Sequence, residues 1–214
     1  LLNYVDEYDP DVQKQFAAMT YWLSLDAYLV VFRGTDDTLI GWKEDFHMTY
    51  MDHVPAQKRA ASYLQNVMKE FPKGRFLVAG HSKGGNLATY ACSYLPDSLF
   101  ERVDAIYSYD APGLNRAIIE TEGYQRTSPN IRRFVPQGSI VGMMLEVPEP
   151  ATIVKSRAFG GFVQHDAFTW MIEKDKFVTL DQTSPDSQQT DLTLKQWVRE
   201  TSAEERKKFF DTFF

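Results

Sequence analysis

The sequence has a single cysteine, Cys92, in 214 residues. An intrachain disulfide is therefore excluded, and nothing in the composition asks for an oxidising compartment. Cationic side chains are in deficit too: 23 Lys and Arg stand against 29 Asp and Glu, a net charge of −6. A nucleic-acid binder presents a basic face, so that class loses its main support and no nucleic-acid partner is expected. No apolar run nears the roughly 18 residues of a membrane-crossing helix, and no charged-then-apolar leader pattern opens the chain. The chain starts without methionine, as a fragment or processed form does, so a lost targeting segment stays open. The expectation is a cytoplasmic protein with no transmembrane segment. Histidine is also scarce, four in all, so chemistry that needs a base near neutral pH has few candidates.

What is present is ordinary globular material, 43% hydrophobic and 24% charged, enough for one domain over residues 1–214 with a real core. "QFAAMTYWLSL" and "AYLVVFR" read as two strands joined near Leu25-Asp26. Residues 55–71 read as an amphipathic helix: Pro55 opens it, and Ala60, Tyr63, Leu64, Val67 and Phe71 recur at helical spacing. "RFLVAG" is a short buried strand, residues 84–95 the next helix, and Pro96 its stop. "VDAIYSY", "IRRFV" and "ATIVK" follow as strands. Strands alternating with helices give an α/β fold with a mostly parallel central sheet. Residues 115–130 carry no strand signal and are expected as a surface loop or lid. A C-terminal helix over about 202–214 starts at the capping box Ser202-x-x-Glu205. Its Phe209, Phe210, Phe213 and Phe214 would dock on the body or serve a partner, and the oligomeric state is open.

Within "GRFLVAGHSKGGNLA", one serine sits among four glycines between a strand and a helix. Gly80-His81-Ser82-Lys83-Gly84 fits G-x-S-x-G. A nucleophile on a sharp strand-to-helix turn needs tiny neighbours, and the turn aims the next amide, that of Lys83, at a developing oxyanion. A glycine-rich turn that merely contains a serine is the alternative. The buried strand before it and the helix after it favour the nucleophile. Upstream, Phe32-Arg33-Gly34-Thr35 ends a strand where a second oxyanion donor belongs, and Thr35 offers an amide and a hydroxyl. A plain polar turn held by Arg33 and Asp45 is compatible with that role.

Phe32-Arg33-Gly34-Thr35, Trp42, Asp45 and Gly80-His81-Ser82-Lys83-Gly84-Gly85 together resemble the class 3 lipases of the α/β-hydrolase superfamily. "DAPG" at 110–113, "SIVGMML" at 139–145 and "QHDAFTW" at 164–170 are similar to a bacterial group of hydrolase-like proteins, the Mbeg1-like family. The resemblance spans roughly residues 10–180. It implies the α/β-hydrolase fold, a mostly parallel central sheet with helices on both faces, and a serine-hydrolase site. It brings no known substrate.

A serine hydroxyl needs a histidine as base and a carboxylate to orient it. His47 and His53 precede the elbow, against the Ser…Asp…His order of the superfamily. His81 lies inside the elbow, where its side chain is expected to point away from Ser82. His165 lies downstream of the last core strand, where the resembled families carry their base, and is the choice. The acid of class 3 lipases follows the strand after next, in a pattern like D-x-V-P. The comparable stretch here is Val135-Pro136-Gln137-Gly138-Ser139, so Ser139 stands where an aspartate is expected. Either Asp110, which ends the strand after the nucleophile's helix, supplies the acid, or Ser139 or a water orients His165. Asp110 is preferred, although aspartate also serves simply as a turn residue before Ala111-Pro112-Gly113. Glu146 and Asp166 are weaker candidates.

Nothing points to a metal or an organic cofactor. His47, His53, Asp45 and Asp52 are irregularly spaced for metal ligands, and no phosphate-binding glycine loop occurs. Lys83 would place a positive charge beside the site, favouring a negatively charged substrate, or would face solvent. Met143-Met144-Leu145 would line an acyl pocket or pack in the core. The reading is a serine hydrolase of esterase or lipase type acting on a small ester, a thioester or a lipid-like substrate. The alternatives are a scaffold keeping the fold without turnover, and an acyltransferase.

Overall fold

The computed structural model describes residues 1–12, 14–36, 47, 48 and 50–213, without the side chains of Phe210 and Phe213. Trp42 and Asp45, which contribute to the family resemblance, lie outside the described residues, as does Phe214. The chain opens with strands β1 (Asn3–Asp9), β2 (Lys14–Ser24) and β3 (Ala27–Phe32). These form an antiparallel meander, and Asp26 turns the β2–β3 hairpin at φ 57°. From β3 onward the sheet is parallel through β4 (Arg75–His81), β5 (Val103–Tyr109), β6 (Ile131–Pro136) and β7 (Ala151–Val154). The short β10 (Thr179–Leu180) closes it antiparallel on β7, giving among the described residues an eight-stranded sheet in the order β1-β2-β3-β4-β5-β6-β7-β10. Two further short strands, β8 (Ile172–Glu173) and β9 (Lys176–Phe177), form a separate hairpin.

Helix α1 (Pro55–Glu70) crosses from β3 to β4, and α2 (Lys83–Ser93) with the single turn α3 (Asp97–Phe100) crosses from β4 to β5. Alternation sorts the strand residues by face. Val30, Phe32, Phe76, Val78 and Ile106 meet Leu64, Met68, Leu87 and Ala91 of α1 and α2 in one continuous core. Each fully buried phenylalanine there contributes about 1.5–3 kcal/mol of hydrophobic stabilisation. On the opposite face, over β5 and β6, Tyr109 and Phe134 are covered by Trp170 and by Phe177 of the β8–β9 hairpin.

Residues 115–130 are not a loop. They fold as α4 (Arg116–Ile119) and α5 (Glu122–Thr127), capped by the Asn115 and Thr121 side chains, followed by a 3-10 turn. Ile118, Ile119 and Tyr124 pack with Tyr90 and Leu114 in a second small core, which ties the segment to α2. Beyond the sheet come the one-turn α6 (Gly161–Gln164) and two longer helices, α7 (Pro185–Glu200) and α8 (Ala203–Phe213). Ser202 and Glu205 cap α8 reciprocally: the Ser202 amide donates to Glu205 Oε2 at 2.8 Å, and the Glu205 amide to Ser202 Oγ at 3.2 Å. Phe209 leans on Trp197 with ring centroids 5.9 Å apart and is otherwise half in solvent. Among the described residues no helix is long and apolar enough to cross a membrane.

Candidate active site

Ser82 terminates β4 and caps α2 at φ 57°, ψ −132°. A non-glycine residue there carries strain, and such strain persists only where its surroundings enforce it. The enforcement is visible. The Ser82 amide donates to Tyr109 O of β5 at 2.9 Å, and the Ser82 carbonyl accepts from the Gly85 amide at 2.9 Å. A β-carbon on Gly80 would overlap the Gly84 peptide, and one on Gly84 would overlap Phe32 O. Glycine at both positions lets α2 start directly on the strand ends. Gly34 abuts the same spot: a β-carbon there would lie 3.3 Å from Ser82 Cβ and 3.0 Å from His81 O. The segment carrying Thr35 therefore runs past the serine.

The residue after β5, Asp110, also has positive φ, 44°, and its amide donates to Phe134 O of β6 at 2.8 Å. Its carboxylate is fully buried and meets three groups. His165 Nδ1 is 2.7 Å from Oδ2, while Ser139 Oγ at 2.5 Å and the Gly142 amide at 3.2 Å both donate to Oδ1. A carboxylate only accepts, so Nδ1 carries the proton and Nε2 is left as the basic nitrogen. Three donors are what a buried carboxylate needs to offset its desolvation. Of the two sequence readings of the acid, the geometry joins Asp110 directly to His165. Ser139 touches the carboxylate rather than the imidazole. Gly142 is bare for the same reason: a β-carbon would crowd Asp110 Oδ1 and Ser139 Oγ.

His165 follows α6, and its ring is 22% exposed. The His81 side chain lies against His165. Its ring lies tilted at 35° against His165 with centroids 4.5 Å apart, and His81 Nε2 meets the His165 carbonyl at 2.7 Å. Burial pushes the His81 pKa below its usual value, and the neighbouring His165 lowers it further. A carbonyl only accepts, so His81 donates through Nε2. Gln164, buried, fixes the same loop by accepting from the Gly138 amide at 2.8 Å and donating to Ala158 O at 3.1 Å.

The Lys83 side chain neither faces solvent nor stands open beside the serine. It is buried, and Nζ donates to Gln15 Oε1 of β2 at 2.8 Å. Arg33 pairs bidentately with Asp6 of β1, both contacts 3.1 Å. Asn86, a residue that sequence reasoning passed over, accepts from Gln57 Nε2 at 2.9 Å and donates to Gly113 O at 2.5 Å, tying α1 and α2 to the loop after Asp110. Arg133, also passed over, donates to the Gly142 carbonyl, so Gly142 is held through its carbonyl by Arg133 and through its amide by Asp110. Leu145 lines a cavity of about 200 Å³ whose walls mix Leu114, Leu194 and Val198 with Arg116, Glu146, Lys195 and Arg206, and none of the candidate catalytic residues lines it. Cys92 is buried in α2 with its thiol pKa raised by desolvation. Among the described residues no cluster of potential metal ligands occurs, and His53 is engaged by Tyr90 Oη at 3.0 Å.

Known structures share this architecture. A lipase from Rhizopus microsporus var. chinensis superposes with a TM-score of 0.51 at 16% identity, over 95% of this chain and 72% of that one. The Rhizomucor miehei lipase in its propeptide complex gives 0.53 at 15%, over 96% and 66%. M37 lipase gives 0.51 at 16%, over 67% and 57%. The chain thus spans between 57% and 72% of the length of these lipases. At such identities the likeness shows the fold, the α/β-hydrolase fold. A search among curated proteins gives no match. The family model of the Mbeg1-like proteins matches residues 1–214, and the chain belongs to the Mbeg1-like family.

Proposed function

We propose that the protein is a serine hydrolase that cleaves a carboxylic ester or thioester through an acyl-enzyme on Ser82. The observation that carries the reading is the 2.7 Å contact of His165 Nδ1 with buried Asp110, which follows β5 at the same end of the sheet as Ser82, held at positive φ after the neighbouring β4. Ser82 Oγ attacks the acyl carbon and passes its proton to His165 Nε2. The amides of Lys83 and Thr35 stabilise the oxyanion. The tetrahedral intermediate collapses, the C–O or C–S bond breaks, and His165 returns the proton to the leaving group. Water then attacks the acyl-enzyme by the same steps in reverse. Asp110 holds the imidazole in the required tautomer throughout. An acyl acceptor other than water would share the same acyl-enzyme. We assign the protein to the cytoplasm on its single, buried cysteine, which cell fractionation checks.

Labelling with a fluorophosphonate tests the reading. Wild type should label, Ser82→Ala should not, and short p-nitrophenyl esters should turn over only with wild type. Folded wild type that neither labels nor turns over would leave a scaffold that keeps the fold without the chemistry.

A further inference from the structure

Arg133 stands on β6 in register with Ser108 of β5, two residues before Asp110. Its guanidinium is turned inward. Nη2 donates to the Gly142 carbonyl, and Nε is shut off from solvent with no hydrogen-bond partner among the described residues. Burying a guanidinium that is only partly hydrogen-bonded is costly, and arginine has no neutral form to retreat to near neutral pH. Burial draws its pKa below the usual arginine value, while the groups around it pull the other way, Asp110 first, then Glu149, Asp191 and Tyr124. These come from four places in the fold: the turn after β5, the segment before β7, α7 and α5.

Glu149 would be the simplest counter-ion for Arg133, but its buried carboxylate is satisfied elsewhere. Tyr124 Oη lies 2.7 and 2.8 Å from its two oxygens, and Ser128 Oγ donates to Oε1 at 2.6 Å. Arg133 reaches instead to Gly142, whose amide donates to Asp110 Oδ1 at 3.2 Å. We propose that Arg133 is a positioning residue for the Asp110–His165 pair. Its fixed positive charge, held close to Asp110 through Gly142, favours an ionised Asp110 beside a neutral His165, the form in which Nε2 can take the serine proton. Ser139 and the Gly142 amide are neutral donors that orient the carboxylate; Arg133 adds net charge. A nearby cation stabilises a carboxylate and opposes a further proton on a coupled pair. The other titratable groups at the pair are His81, ring against ring with His165, and Asp166, the next residue, and both stay unaltered in the test below. The catalytic role rests on the hydrolase reading of Ser82; the coupling of Arg133 to His165 does not.

Titration of the His165 imidazole tests it, read by NMR on protein with isotope-labelled histidine and assigned with His165→Gln. Arg133→Gln keeps a donor for the Gly142 carbonyl and removes the charge, so the His165 midpoint should rise by about one pH unit. Arg133→Lys keeps the charge and loses the planar fork, and its midpoint should stay close to that of wild type. The acid limb of kcat/KM on a p-nitrophenyl ester should move in step with each midpoint. A purely structural role for the guanidinium would leave the midpoint where it is in both variants. An unchanged midpoint in folded Arg133→Gln, or equal shifts in the two variants, overturns the proposal. Where Arg133→Gln alone does not melt cooperatively, Glu149→Gln is compared with Glu149→Gln carrying Arg133→Gln, since the loss of Arg133 then no longer strands the Glu149 carboxylate. The same rise must appear there, and its absence overturns the proposal. Fluorophosphonate labelling reads Ser82 separately. A shifted midpoint in protein that does not label supports the coupling and ends the hydrolase reading; labelled protein with an unshifted midpoint ends the coupling alone.

Discussion

His81 and His165 lie ring against ring, centroids 4.5 Å apart, and His81 Nε2 meets the His165 backbone carbonyl at 2.7 Å. The residue before the proposed nucleophile thus grips the peptide of the proposed base, although 84 positions separate them in sequence. If that grip positions His165, losing the donor should lower kcat with little effect on KM. His81→Phe keeps a ring and loses the N–H, and kcat should fall about tenfold, the worth of one net hydrogen bond near 1 kcal/mol or slightly more. His81→Gln restores a side-chain N–H at similar reach and should recover most of the loss. Steady-state kinetics on the three proteins checks this; equal defects in both variants would leave His81 a packing residue.

The same burial has a pH signature. His81 titrates lower when folded than its ordinary value of 6.5, first through desolvation and then through His165, while Asp110 and Asp166 pull the other way. Above about pH 6.5 both folded and unfolded chains hold it neutral, and the full stability is present. As pH falls through the unfolded value, the unfolded chain takes up a proton that the folded one refuses, and stability declines until the lower folded value is reached. The contribution is at most about 1.4 kcal/mol per pH unit. Urea unfolding from pH 7.5 down to 5 should show a shallower decline for His81→Gln than for wild type. Parallel curves would remove His81 from the account.

Asp110→Asn should keep the fold, because asparagine tolerates the positive φ at this position. It should lower kcat by about 10³–10⁴-fold, the scale seen when a triad carboxylate becomes an amide. Ser139→Ala removes one of the two donors to Oδ1 and leaves the Gly142 amide in place. A smaller loss follows, about tenfold in kcat and about 1–2 kcal/mol in stability. Reversal of that ranking, with Ser139→Ala the more damaging, would point to Ser139 as the group that orients the imidazole.

Much of the sheet is legible in the sequence because each strand is a short apolar run with a sharp stop: the stretches "AYLVVFR", "RFLVAG" and "VDAIYSY" become β3, β4 and β5. The elbow is legible because sterics leave so few residue types around Ser82. Strand β1 is not, since it is an edge strand with Tyr4 and Tyr8 half in solvent, and its polar alternation resembles a loop. Helix α7 shows only Ser187 buried, and its half-buried Leu194, Trp197 and Val198 cover just its last two turns, although Ser184-Pro185 is a readable start signal. The contact between Ser139 and Asp110 depends on β6 lying beside β5, which no linear pattern encodes. The fate of the Lys83 side chain was equally hidden, because Gln15 lies on β2, 68 residues away.

Two glycine substitutions separate close packing from backbone freedom. Gly84 sits in α2 where the helix starts against β3, and a β-carbon there would overlap the carbonyl oxygen of Phe32, a backbone atom with no rotamer to relieve the contact. Relief requires α2 to back away from the strand, which would open the core beneath Leu87 and Ala88. Gly84→Ala should therefore cost more than about 3 kcal/mol or prevent folding, despite alanine's better helix propensity. Gly160 is the opposite case. Its φ is 82° and a β-carbon would meet nothing within 4 Å, so Gly160→Ala carries only the left-handed backbone penalty, about 1–2 kcal/mol. Thermal melts of the two variants decide the matter. A mild effect at Gly84 would show that α2 can retreat from β3, and the enforced geometry at Ser82 would lose its physical basis.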